Sequence, residues 1–494
     1  MPPVAALLSF VASFGLGFLL VALCWPKGKG SLPETLLKGV TGLTIGVGAT
    51  SALFFLWLIV VNRASRWFVL VELVVLGLLI VAVVFFNRRR LVVPQSRPAV
   101  TPSSRRWSIL ALFLLALSGL TIAFLILRFP TGGWDAVAIW NLHAKFLAAP
   151  VTGQWRGIYD EVLVHTHRDY PFLTSAFIAQ AWVWMGGTRS ILPPIFVSLL
   201  FSLVVPVLLF AALRLFRSMM MGVLAMGVLL VSPLFLGSTF LQYADIPVGF
   251  FFLLTTVLLI HAETIDLLLN PNIPHRGLYA LAGASAGCAA LTKNEGLLFL
   301  LVFLAVWFLR LLIRRRLRQE FKKGLVFIAA AGLFLVPLGF HKAFAPRNEL
   351  IETQTAGTFS RLIEPSRHEA ILTSLVDSIS DPKTLSAVAG KPASRWPLFC
   401  GLLFLLLVGV DEKLLKKTSV SFVWSVGLSL CVGYYFAYLM TPYELKWQLA
   451  TSMERLLVQV FPLVLLAIGL SLRQIEARPT KAPEAEAAAS NTQT

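Results

Sequence analysis

The sequence predicts an all-α polytopic membrane protein, and three observations carry the prediction. The chain of 494 residues is 57% hydrophobic and only 13% charged, a balance that no soluble fold of this length requires. Apolar runs of about 20 residues, enough to cross roughly 30 Å of hydrocarbon, recur along its length. Lysines and arginines gather in short clusters beside those runs, as in "NRRR" at 87–90 and "RRRLR" at 314–318, the pattern of loops held in the cytoplasm. These clusters account for much of the net charge of +18 without a nucleic acid partner.

The N-terminal "MPPVAALLSF" lacks the basic start of a secretory signal and runs on to Trp25, so it reads as a retained first helix. About thirteen spans are expected, at 4–25, 39–61, 67–86, 107–127, 191–213, 219–237, 247–262, 278–292, 296–313, 324–342, 396–410, 418–440 and 456–472. A further apolar stretch, 171–187, is interrupted by polar and small residues, ends in "GG", and reads as a helix lying at the interface. With the N-terminus outside, the inner loops receive Lys27, Lys29 and Lys38, the arginines from Arg88 to Arg106, Arg214 and Arg217, the cluster from Arg310 to Lys323, and Lys413, Lys416 and Lys417. Were 171–187 to cross, the strongly basic loops after it would change sides, against the positive-inside bias. Cys24, Cys288, Cys400 and Cys431 fall in or beside apolar runs with no CxxC spacing. They read as small buried apolar residues rather than disulfides or metal ligands. The C-terminal 476–494, rich in Ala, Glu and Pro, has the composition of a disordered cytoplasmic tail.

On this topology the unusual polar stretches share the outer face. Asp135 follows the fourth helix in "GGWDA", where a carboxylate can act as a general base toward an acceptor hydroxyl. The plainer alternative is a helix N-cap for "WDAVAIWNLHAKFL". Lys145, at the end of that helix, suits a lipid-borne phosphate or simple snorkelling to headgroups. "HTHRDYP" brings together His165, His167, Arg168, Asp169 and Tyr170, either as a weak metal signature or as a polar loop entering a helix at Pro171. Asp245 in "QYADIP" opens an apolar helix, as a cap or as a second carboxylate facing Asp135. Lys293 and Glu295 flank Asn294 in "LTKNEG", where turn chemistry explains Asn294 and Gly296 but not both charges, which read either as a surface pair or as a pair aimed at a phosphate-bearing ligand. Glu454 and Arg455 stand at the outer end of the last helix, where a basic anchor runs against the inward bias and arginine can grip phosphate. Glu72 is read as reaching the outer interface, and Glu263 and Asp266 as belonging to a cytoplasmic loop. No nucleotide-binding or hydrolase motif stands in a supporting context. No cofactor is required by the sequence, with a divalent cation the one candidate.

The ordered set "WDA…WNLHAK", "HRDYP", "ADIP", "LTKNEG" and "ERLLVQVFP" resembles the GT-C membrane glycosyltransferases, most closely the protein O-mannosyltransferase and aminoarabinose transferase group. The resemblance covers about residues 107–472 and rests on motif order rather than on any single motif. It implies a GT-C-like fold with interfacial helices in the first large outer loop. The implied activity is inverting transfer of a sugar from a polyprenyl-phosphate carrier to an extracytoplasmic acceptor. Asp135 matches the family's acidic general base and Asp245 its second acidic position, while Lys145 and Arg455 are positions for carrier-phosphate contacts. The family often has two acidic residues together in the first loop, whereas here Ala136 follows Asp135. The expected organisation is a three-helix extension at 1–106, a catalytic core at 107–342, an outer loop at 343–395 carrying short amphipathic helices, and C-terminal helices at 396–475. Two rival classes remain at this stage. A secondary transporter would show internal repeats and midplane polar groups, and a non-catalytic scaffold would tolerate loss of Asp135.

Overall fold

A computed structural model describes residues 2–26, 30–87, 102–187, 189–268, 276–348, 357–380, 409–411, 413 and 418–473. Every named element among them is helical. The spans are α1 (Pro2–Cys24), α2 (Leu32–Val61), α3 (Trp67–Asn87), α4 (Pro102–Arg128), α7 (Leu192–Phe216), α10 (Asp245–Leu268), α12 (Asn294–Ile313), α13 (Leu317–Phe344), α16 (Thr418–Met440) and α17 (Leu445–Ser471). Shorter helices are α5 (Asn141–Leu147), α6 (Leu173–Trp184), α8 (Met219–Val231), α9 (Pro233–Thr239), α11 (Gly277–Thr292), α14 (Gly357–Leu362) and α15 (Pro365–Ser380).

Ten of these helices are long and apolar enough to cross a membrane, or eleven if the bent pair α8 and α9 is one span. Ten of the expected thirteen runs coincide with these spans, and the other three stand as follows. The run at 219–237 breaks at Ser232–Pro233 and bends by 65°, because proline has no N–H to continue the ladder and starts a new helix instead. The run at 278–292 forms α11, 16 residues long. The run at 396–410 lies mostly outside the described residues.

The stretch 171–187 contains α6, whose residues from Leu173 to Val183 are all buried. It is walled by α1, α2, α5 and α7 and, at 12 residues, is a short internal helix of the bundle that is not among the spans. Glu263 and Asp266, read from sequence as loop residues, sit on the last turns of α10. There Arg310 grips Glu263 through both guanidinium nitrogens at 3.0 and 2.7 Å, and Lys323 pairs with Asp266 at 2.7 Å.

Helix α10 is the centre of the bundle, with 89% of its apolar window buried against 11% for α3. Elsewhere in the bundle small residues let helices approach closely, the usual device where lipid offers no hydrophobic drive between helices. A Cβ added at Gly17 of α1 would lie 1.8 Å from the Gly42 carbonyl of α2, so these two backbones touch. Among the cysteines, Cys288 is buried but Cys431 is exposed on α16, so the burial expected of all four does not hold there.

Glu72 corrects another expectation. It is fully buried and joins three segments: Thr50 donates at 2.9 Å and Ser13 at 3.3 Å to its Oε1, and the Trp184 indole at 2.8 Å to its Oε2. A carboxyl group is costly to place in an apolar bundle unless such donors meet it. Glu72→Leu therefore strands two or three donors and is expected to lose about 1–3 kcal/mol of stability, while Glu72→Gln keeps an acceptor and loses less. Melting temperatures in detergent decide it, and a leucine variant as stable as the wild type would contradict the assignment.

Candidate active site

Four segments converge where α10 begins. The loop after α4 brings Asp135, the first turn of α10 brings Asp245, the α11–α12 turn brings Lys293 and Glu295, and the third turn of α17 brings Arg455. The first approach depends on the glycines of "TGGWD". Gly132 has φ +72°, a left-handed conformation that glycine adopts without steric cost. At Gly133 an added Cβ would lie 2.5 Å from the Tyr243 hydroxyl, and the Gly133 N–H donates to the Leu241 carbonyl at 2.9 Å. The loop thus lies flat against Leu241–Tyr243, and Asp135 comes beside Asp245.

The charges form one chain. Arg455 bridges the two aspartates, its Nη2 lying 2.7 Å from Asp135 Oδ2 and its Nε 3.2 Å from Asp245 Oδ2. Lys293 lies 2.9 Å from Asp245 Oδ1 and 2.7 Å from Glu295. Gln459, one helical turn beyond Arg455, donates to Asp245 Oδ1 at 2.6 Å and accepts from the Tyr434 hydroxyl at 2.8 Å. Burial works against the Lys293 ammonium, but the carboxylates of Asp245 and Glu295 outweigh it and hold its pKa above the ordinary value. Lys293 is therefore an ammonium at neutral pH. Tyr243 lies under the Arg455 guanidinium, 4.9 Å from ring centre to charge, and its hydroxyl accepts the Asp135 backbone N–H at 3.4 Å.

The two aspartates are not equivalent. Asp245 is 2% exposed, and both of its oxygens are occupied by Lys293, Gln459 and Arg455. Asp135 is 9% exposed, and only its Oδ2 is held; among the described residues Oδ1 has no partner. The N-cap alternative fails for Asp135, which has helical φ and ψ and makes no side-chain cap bond to the π-turn Ala136–Trp140. Its carboxylate is committed to Arg455 instead.

A second polar group stands beside the first. Asp169 accepts from Asn294 Nδ2 and Asn348 Nδ2, each at 2.7 Å. Lys342 bonds the Asp169 carbonyl at 2.6 Å and Asn294 Oδ1 at 2.8 Å. The α11–α12 turn thus sorts its side chains: Lys293 and Glu295 join the charge chain and Asn294 joins Asp169. Tyr170 connects the groups, stacked between Trp140 at 5.7 Å and His167 at 4.6 Å, with the Lys293 ammonium 5.8 Å from its ring centre.

Other residues singled out from sequence lie elsewhere. His165 is exposed, and Lys145 is exposed at the end of α5, where its carbonyl accepts from Arg189. Among the described residues no bond joins the Lys145 ammonium to the cluster. Glu454 is half-buried beside Arg455. With His165 exposed, His167 stacked and Asp169 held by amides, the His-x-His pattern does not assemble a metal centre; no group of three or more metal-ligating side chains occurs among the described residues. Sequence reading missed Gln459, Tyr434, Tyr243, Lys342 and Asn348.

His143 supplies a pH test of this region. It is 2% exposed, and its Nε2 lies 3.3 Å from the Thr166 hydroxyl, whose own proton goes to the Leu163 carbonyl at 2.8 Å. His143 Nε2 is therefore the donor. Burial first, and the nearby His167 charge second, lower its pKa from 6.5 to about 4. The folded protein holds this ring neutral while the unfolded chain takes up a proton below about 6.5. Stability from this group is thus full above pH 6.5 and falls between 6.5 and about 4. Melting temperature against pH should decline over that window in the wild type and less steeply in His143→Asn; identical slopes would contradict the assignment.

Among known proteins, residues 184–347 match the family model of dolichyl-phosphate-mannose-protein mannosyltransferase, a GT-C family. The match covers about a third of the chain and contains Asp245, Lys293 and Glu295, whereas Asp135 and Arg455 lie outside it. No curated protein and no solved structure matches the chain significantly.

Proposed function

We propose that the chain, a GT-C membrane glycosyltransferase of the protein O-mannosyltransferase group, moves a sugar from a polyprenyl-phosphate carrier to an extracytoplasmic acceptor, with inversion at the anomeric carbon. The observation that carries the reading is Arg455 bridging Asp135 and Asp245, with Lys293 alongside. A base with one open oxygen and two cations within one cluster is what transfer from a phosphate leaving group requires.

In this reading the acceptor hydroxyl gives its proton to Asp135 Oδ1 as its oxygen attacks the anomeric carbon. The bond from that carbon to the phosphate oxygen breaks on the opposite side, and its electron pair leaves with the carrier phosphate. Arg455 and Lys293 stabilise the charge that develops there. Attack opposite the leaving group inverts the anomeric centre. Asp245 holds both cations in place, and holding donor and acceptor together makes the reaction effectively intramolecular. The carrier bond supplies the driving energy, so no nucleotide is consumed.

The acceptor is a glycan, lipid or protein at the outer surface of the cell membrane, a bacterial inner membrane on this reading. The polar motifs then face outward and the C-terminus lies in the cytoplasm, as the basic loops indicate.

Lipid mass spectrometry of cells with and without the protein tests this. A polyprenyl-phosphate sugar should accumulate in the strain lacking it, and the product's anomeric configuration should be opposite to the donor's. Equal lipid pools in a host known to make such donors would refute the proposal.

A further inference from the structure

An open cavity of about 440 Å³ lies where α1 and α3 begin and α6 ends. Its size is that of small-ligand sites, roughly 300–1,000 Å³, and it shares no wall residue with the charge chain. Ala5, Val69, Trp184 and Met185 give it an apolar wall, and Arg66 gives it a charge. The loop "NRASRW" at 62–67 holds that charge in a fixed place. Gly153 donates its N–H to the Asn62 carbonyl at 2.7 Å, Ala64 donates to the Ala149 carbonyl at 3.0 Å, and the Trp155 indole donates to Asn62 Oδ1 at 2.9 Å. The guanidinium lies on Gly186, where φ is +74° and an added Cβ would collide with Arg66 Nη2, so only glycine fits there. The Trp184 wall is fixed as well, because its indole donates to buried Glu72.

Three more cations stand at this end of the bundle. Arg63 belongs to the same loop, and Arg189, just beyond Gly187, donates to the Lys145 carbonyl at 3.4 Å. All four are exposed, and among the described residues none is paired with a carboxylate. Basic anchors are biased toward the cytoplasm, so a group of them at the end expected to face outward needs another cause. Along the membrane from the cavity, α1 and α3 present bare apolar faces: Val4, Leu7, Leu8, Leu70, Leu73 and Val74 are 45–61% exposed.

These features narrow the occupant to a molecule with a negative head and an apolar body. A guanidinium meets phosphate oxygens with parallel hydrogen bonds. A zwitterionic headgroup would bring its own ammonium among these cations, with no carboxylate there to receive it. A small soluble anion would leave the apolar faces unused.

We propose that the cavity binds an anionic phospholipid of the surrounding leaflet, its phosphate on Arg66 and its acyl chains along α1 and α3. The site belongs to the three N-terminal helices and stands apart from the sugar-transfer reading.

Native mass spectrometry of the full-length protein with phosphatidylglycerol or phosphatidylcholine of matched chains tests it. One phosphatidylglycerol should bind at least about 10-fold more tightly than phosphatidylcholine, within what a few cations near the surface contribute toward an anionic lipid. Arg66→Gln should remove most of that preference and Arg66→Lys should keep most of it, both with the lipid-free melting temperature of the wild type. Ala5→Phe fills the cavity without changing its charge and should weaken phosphatidylglycerol binding as Arg66→Gln does. Arg318→Gln, in the basic loop at the other end of the bundle, should leave it unchanged. Equal affinities for the two phospholipids, or wild-type binding by both Arg66→Gln and Ala5→Phe, would overturn the proposal. So would displacement of the lipid by an equal concentration of glycerol 3-phosphate, which would make this a site for a soluble phosphate. Preferential binding of polyprenyl phosphate would overturn it too, making the cavity a seat for the carrier.

Discussion

Asp135→Asn is expected to lower sugar transfer about 10³-fold, within the range that a positioned general base contributes, with little change in folding. Asparagine keeps the size of the side chain and can still accept a hydrogen bond from Arg455, but it cannot take the acceptor's proton. The contrast with Asp245→Asn makes the prediction specific. Asp245 is the charge that both Lys293 and Arg455 share, and Lys293 is 2% exposed. Removing one member of a buried pair leaves an uncompensated charge and typically costs about 3–5 kcal/mol. Asp245→Asn should therefore lower both melting temperature and activity, whereas Asp135→Asn lowers activity alone. In cells, Asp135→Asn should reproduce the lipid accumulation of the strain without the protein. An Asp135→Asn enzyme retaining more than about a tenth of wild-type turnover would remove Asp135 from the role of base, since that residual is above what loss of a general base leaves.

The class of the fold was legible because apolar length is a local property. Runs such as 39–61 and 107–127 announce spans whatever surrounds them, and α2 and α4 occupy them with their N-terminal ends seven and five residues earlier. The α8–α9 break was also legible in "VSPLF", where Ser before Pro reads as the cap and first position of a new helix, a signal outweighed by the length of the run. The burial of α6 was not legible. A run of twelve mostly apolar residues has the same composition whether lipid or protein covers it, and only the packing of α1, α2, α5 and α7 around it decides. Glu72 failed as an interface residue for the same reason: its partners Ser13, Thr50 and Trp184 come from three different helices.

The charged motifs were legible as a set because a carboxylate or ammonium beside an apolar run is costly and so draws notice one residue at a time. What they do with one another was not. Nothing in the spacing of Asp135, Asp245 and Arg455 says that a single guanidinium joins the two carboxylates, because that pairing depends on how α17 is rotated against α10. Gln459 left a readable trace. It is a lone amide in "LLVQVFP", four residues beyond Arg455 and hence on the same helix face, but a neutral side chain attracts less suspicion than a charge. Lys145 shows the opposite case, a cation at an inviting position whose side chain is exposed rather than joined to the cluster.

Arg455→Met should lower transfer by about 10²–10³-fold, the loss seen when a preorganised donor to developing charge is removed. Two functions go at once. The leaving phosphate loses a cation, and Asp135 loses the only side chain that orients it among the described residues. Arg455→Lys separates these functions, because lysine keeps the charge but not the geometry. The guanidinium reaches the two carboxylates with different nitrogens, Nη2 toward Asp135 and Nε toward Asp245, and a single ammonium is a point charge without that fork. If phosphate contact dominates, Arg455→Lys should retain donor affinity and most of the turnover, and Arg455→Met should raise the donor KM. If orientation of Asp135 dominates, both variants should lose kcat about equally with KM little changed, since the interaction lost is then one made in the transition state. The bridge favours the second outcome, because both carboxylates hold Arg455. A carrier phosphate that engages Arg455 while it still holds Asp135 would couple donor binding to the orientation of the base, and so to activation of the acceptor. That coupling predicts that acceptor binding strengthens with donor present in the wild type and not in Arg455→Lys. Equal acceptor affinity with and without donor in the wild-type protein would show that the bridge is static.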